Sequence, residues 1–314
     1  MDLRLFDCND ENRPTHRRER TRKFFGPAAG FLSAARLRVT FCFRRAYNQR
    51  GKLLPVRRHP VSSTPPLVAQ APQPRFGPLA RLTGALFSPG ETFADIGRTP
   101  SWLAALLLLT ITGLAVNIVL AQRVNWYEVT RSQIEKNKFA AAQFERMTDE
   151  QREQAYQSAA GRGKIWRYIR GAVGSLLLIV IMGGVYLGAF KLAGAGGALN
   201  FKTARAIVSH AYLPLGLREV IGIPILLLKD PSAIDPENFV ASNVAALLPG
   251  DAPLWQIALG ASVDIFGIWC LVLLVIGFSA FNPKKIPLGK AAGVVLGVFI
   301  FFVLLGTGIA WIFS

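Results

Sequence analysis

The sequence predicts an all-α fold: a polytopic transmembrane helix bundle of five spans behind a disordered basic N-terminal tail. Three observations predict it. Of the 314 residues, 51% are hydrophobic and only 18% charged, with a mean hydropathy of +0.33. The apolar residues come in blocks of about 20 or more, the length that crosses a bilayer. The net charge of +17 is concentrated toward the front, where residues 1–100 hold 18 Lys and Arg against 7 Asp and Glu. A basic arm beside apolar blocks reads as a cytoplasmic tail near anionic lipid. No recognition motif accompanies the charge, so no nucleic-acid partner is expected.

Residues 1–77 form the tail. Its first 60 residues hold 13 Arg against 2 Lys, and prolines recur from Pro60 to Pro78. That composition buries no core and favours extended chain. A mis-assigned start codon is the other account of the compositional change. The membrane domain takes residues 78–314. Its opening stretch, residues 78–98, is too short and polar to span. Ser88, Pro89 and Glu91 make a capping box with proline at the first helical position. Leu79, Leu82 and Leu86 stripe the piece before it, and Phe93 and Ile96 share a face of the piece after it. Two short interfacial helices feeding the first span are expected.

The five spans fall at about 101–121, 168–190, 204–228, 254–281 and 288–313. Trp102, Trp126, Trp166 and Trp311 stand near their ends, as interfacial aromatics do. The 122–167 loop has helical character, with Thr148 and Gln151 as a second capping box, and two short helices standing off the membrane are expected there. Loop charge sets the orientation. Lys191, Lys202 and Arg205 mark one loop and Lys284, Lys285 and Lys290 another, while residues 229–253 carry Asp230, Asp235, Glu237 and Asp251 against Lys229. The N-terminus is therefore expected in the cytoplasm and the C-terminus outside a cell membrane. The 122–167 loop opposes this, with 9 basic residues to 6 acidic on the expected outer side.

Candidate site residues are those that lipid would penalise. Arg218 and Glu219 lie in the third span and Asp264 in the fourth. Arg218 precedes Leu228 by ten residues and Asp264 follows Leu254 by ten, so antiparallel spans bring both about 15 Å below one surface. Two readings stand: a structural Arg218–Asp264 pair holding the spans in register, or a transport pathway through Arg218, Glu219 and Asp264. Asn117 in the first span is near enough in depth to join by hydrogen bond. Gly289, Gly293 and Gly297 put small residues every four along the fifth span, the pattern of close helix contact in lipid. Packing within the chain is the expected use, with self-association the other.

Three cysteines and three histidines are scattered, and no metal, cofactor or catalytic motif of the G-x-S-x-G, H-E-x-x-H or phosphate-loop kind occurs. No metal site, no cofactor and no enzymatic activity is expected. The expected partners are the bilayer and other membrane proteins or further copies; the sequence names no small-molecule ligand.

Three passages carry a resemblance: LFSPGETFADIGRTPSW (86–102), GALNFKTARAIVSHAYLPLGL (197–217) and NPKKIPLGKAAGVVLGV (282–298). In this order, with five spans, residues 85–314 resemble the Yip-domain family, membrane proteins named for interaction with Ypt/Rab GTPases. The resemblance implies a five-span scaffold that binds partners and its own kind, and no catalytic residue. The acidic-aromatic stretch that eukaryotic members carry before the first span is missing, so the GTPase role is not expected to carry over; the long first loop and the high Arg and Gly content liken the chain to bacterial members. A membrane scaffold or partner-binding protein is the leading functional expectation. A small transporter or channel subunit with an intramembrane Arg/Asp site is the alternative.

Overall fold

A computed structural model describes residues 73–314 apart from 196 and 198; nearly all of the expected tail lies outside the described residues. Among the described residues the structure is helical, and its only strand-like pairing is a single antiparallel bridge between Asn243 and Asp264. Four helices are long and apolar enough to cross a membrane, and a fifth apolar helix of 17 residues joins them. Large apolar side chains such as Ile111, Ile181, Phe301 and Leu304 are exposed along these helices. Lipid rather than water is the solvent that such a surface fits.

Helices α1 (Pro78–Phe87) and α2 (Pro89–Arg98) form a hairpin. Proline does begin α2, but the Ser88 hydroxyl makes no capping bond. The hairpin is more than interfacial. Phe93 and Ile96 are fully buried in the main core, which also takes in Ile207, Tyr186, Phe190 and Phe278. The reason is steric: Gly277 presents no side chain, and a Cβ there would stand 3.0 Å from the Phe93 ring.

The first span is α3 (Leu103–Arg123). Two short helices follow, α4 (Trp126–Lys136) and α5 (Lys138–Phe144), each capped by an asparagine, Asn125 and Asn137. The Thr148–Gln151 capping box is formed, but the helix it opens, α6 (Asp149–Phe190), runs 42 residues without a break into the second span. The expected second outer helix is thus the projecting half of α6, and α4 leans on it through Tyr127, whose hydroxyl donates to Glu153 at 2.6 Å. Thr148→Ala is expected to cost about 1 kcal/mol and to speed amide exchange in the first turn of α6, measured by exchange mass spectrometry. A turn of π-helix, Lys191–Ala195, ends the second span, with Gly194 at φ +75°, where a side chain would be strained.

The third span is bent into α7 (Phe201–Ala211) and α8 (Leu213–Leu228). Pro214 causes the bend, since it has no N–H to give the His210 carbonyl one turn back. The fourth span departs from expectation. Residues 254–281 are not one helix: α9 (Leu254–Ser262) stops, and α10 (Ile265–Phe281) starts afresh from Asp264. Val244 N–H to Val263 O (3.2 Å) and Ile265 N–H to Ser242 O (3.1 Å) staple the 229–253 loop to the break. Gly260 lets α9 lie against the backbone of Ala245, 2.9 Å from where its Cβ would be. The last span, α11 (Leu288–Phe313), matches the expected bounds.

Candidate functional site

The structure separates the residues that counting had put together. Asp264 is not inside a helix but in the break between α9 and α10. Its backbone is extended, and its carboxylate caps α10, accepting the Gly267 N–H at 2.8 Å and the Ser242 hydroxyl. A carboxylate at a helix N-terminus meets free N–H groups and the positive end of the dipole, so it needs no cation. Among the described residues Arg218 and Asp264 form no ion pair. Arg218 lies instead with its guanidinium carbon 5.9 Å from the ring centre of Phe239, on the 229–253 loop, and its buried Nε has no hydrogen-bond partner. That loop reaches inward because Gly222 of α8 clears a place for Phe239 and Val240.

Glu219 and Asn117 do come to one place. Glycines make it. At Gly113 of α3 an added Cβ would meet the Glu219 carboxylate at 3.3 Å and the Ser175 hydroxyl of α6 at 3.8 Å. At Gly171 of α6 an added Cβ would lie 3.1 Å from Asn117 Cβ and 3.3 Å from the Gly113 carbonyl oxygen. Three helices, α3, α6 and α8, therefore cross with a carboxylate lodged between them. Asn117 donates Nδ2–H to the Gly113 carbonyl at 2.8 Å, and its Oδ1 is buried without a partner. Thr112, Arg218 and Arg170 are the other polar groups around Glu219. An ionisable group at this depth persists only where polar neighbours or a cavity receive it. Thr112 and Ser175 were not singled out in the sequence: a hydroxyl in an apolar helix is common, and only the crossing selects these two.

A second buried polar cluster was missed altogether. Arg81 of α1 and Asp95 of α2 pair at 2.8 Å with side chains 4% and 1% exposed. The separation of fourteen residues gives no local signal; only the hairpin brings them together.

The glycines of α11 also depart from expectation. Nothing lies within 4 Å of a Cβ built at Gly289, Gly293 or Gly297. The helix meets the bundle through Ala291 and Val295, both fully buried, on its opposite face. Packing within the chain does not use the glycine run.

Helices long and apolar enough to cross a membrane, packed around an apolar core, define a multi-pass α-helical membrane protein. The Yip1 domain matches residues 83–310, and the chain belongs to the Yip1-domain family. No curated protein and no solved structure matches the chain.

Proposed function

We propose that the chain is a non-enzymatic membrane scaffold that holds other membrane proteins or further copies of itself through its spans. The N-terminus then lies in the cytoplasm and the C-terminus outside, in line with the lysines of the 282–290 link and the acids of the 229–253 loop. The observation that carries the reading is the outward glycine face of α11, a helix fastened to the bundle along one narrow seam. Small residues every four allow a second helix to approach closely in lipid. Affinity purification of the full chain in mild detergent tests it, with Gly293→Leu alongside. The wild type is expected to bring down a recurring partner or a second copy, and the variant to lose it while folding equally, since its side chain enters open space. Wild type recovered alone would overturn the reading. Labelling of Lys284→Cys and Asp235→Cys variants is expected to find opposite sides; the same side would overturn the orientation.

One observation favours a second reading, a small transporter or channel subunit. A carboxylate sits inside three crossing helices beside an unpartnered amide oxygen. On that reading Glu219→Gln folds normally and abolishes ion flux in liposomes. On the scaffold reading no such flux exists to lose.

A further inference from the structure

A groove of about 600 Å³ runs between α10 and α11, lined by apolar atoms from Val263, Ile268, Val272, Ile276, Leu296 and Phe299 among others. Along α11 its lining runs from Leu288 to Phe299, about 17 Å. That is about the depth of one leaflet, half of a 30 Å hydrocarbon core. Leu288 lines it at the end where the two helices are joined.

That end is basic. Lys284 and Lys285 stand exposed in the joining turn. The turn is fixed, because Ile286 is fully buried and the Asn282 side chain accepts the Lys285 N–H at 3.2 Å. The hairpin adds a third cation. Gly97 packs so closely on Phe281 that a Cβ would stand 3.3 Å from its Cα, which brings the exposed Arg98 beside the turn. Among the described residues none of these three side chains has an ion-pair partner, and the 282–290 link holds no acid.

An apolar slot of acyl-chain length that ends at unpaired cations matches one molecule in both halves. We propose that α10 and α11 hold one anionic phospholipid, an acyl chain along the groove and its phosphate among Arg98, Lys284 and Lys285. The inference goes beyond the scaffold reading and does not depend on it, since the glycine face of α11 is turned elsewhere.

The test is native mass spectrometry of the full chain, reconstituted with equal phosphatidylglycerol and phosphatidylcholine and then taken into mild detergent. One phosphatidylglycerol per chain is expected to stay bound, at least tenfold preferred over phosphatidylcholine. Lys284→Gln with Lys285→Gln should bring the two lipids toward parity. Val272→Trp, which fills the slot, should displace both. Equal retention of the two lipids by the wild type, retention of none, or a second copy of the chain in the lipid's place would overturn the proposal. So would undiminished phosphatidylglycerol on the Val272→Trp chain. Should that variant fail to fold, a photoactivatable phosphatidylglycerol on the wild type decides instead. Cross-links on α10 and α11 support the site, and cross-links confined to other helices refute it.

Discussion

Arg81→Met is expected to destabilise the folded chain by about 3–5 kcal/mol, because it strands a buried carboxylate. Arg81 gives Asp95 Oδ2 two bonds, from Nε at 3.0 Å and Nη2 at 2.8 Å. Its Nη1 reaches on to the Thr99 carbonyl at 2.9 Å and the Ser101 hydroxyl at 2.7 Å. One side chain thus fastens α1 to α2 and to the entry of the first span. Arg81→Lys keeps the charge but not the fork, so it should fall between wild type and methionine. Thermal unfolding in detergent reads the series; a methionine variant as stable as wild type would show the cluster to be dispensable.

The same pair gives a pH dependence with a definite sign. Burial pushes the Asp95 carboxyl up, but the Arg75 N–H, the Arg81 guanidinium and the Phe76 N–H together hold it below its ordinary range. A depressed folded value stabilises above the unfolded value of about 3.9 and is lost as pH falls through the folded one. Acid therefore weakens the wild type. In Arg81→Met, protonation removes the stranded charge, so the gap between the two proteins should narrow below about pH 4.

The second large effect is at Phe93. Truncation to alanine is expected to cost about 3–5 kcal/mol, since the ring is fully buried and the helices around it cannot collapse freely. Its partner is an absence: at Gly277 a Cβ would come within 2.7 Å of Ile207 and 3.0 Å of the Phe93 ring. Gly277→Val alone should overpack the site, by about 1–3 kcal/mol. Combined with Phe93→Ala, the valine enters the space the ring left, and the double variant should be more stable than the sum of the single losses allows. Strict additivity in thermal unfolding would mean the two positions do not share one cavity.

The spans were legible where apolar residues run on unbroken. Leu103–Arg123 and Leu288–Phe313 lie within two residues of their expected bounds, because nothing local competes with the helix. Legibility failed where one residue had two uses. Asp264 inside an apolar run was read as a buried charge awaiting Arg218; the same residue type is a strong helix start, and capping won. Glycines misled in both directions. Gly289, Gly293 and Gly297 fit a packing motif and face open space, whereas Gly113 and Gly171 fit no regular spacing and make the tightest crossing around Glu219. Hydropathy counts what a residue prefers, not which helix stands opposite it. The Arg81–Asp95 cluster lay beyond reach for the same reason.

Helix α6 has a mechanical consequence. At 42 residues it measures about 63 Å, roughly twice the thickness of a hydrocarbon core. Its N-terminal half, to which α4 is clasped near Tyr156, continues without a break into the apolar half. A load on that half is therefore a load on the second span, which packs on α3 where Gly171 meets Gly113.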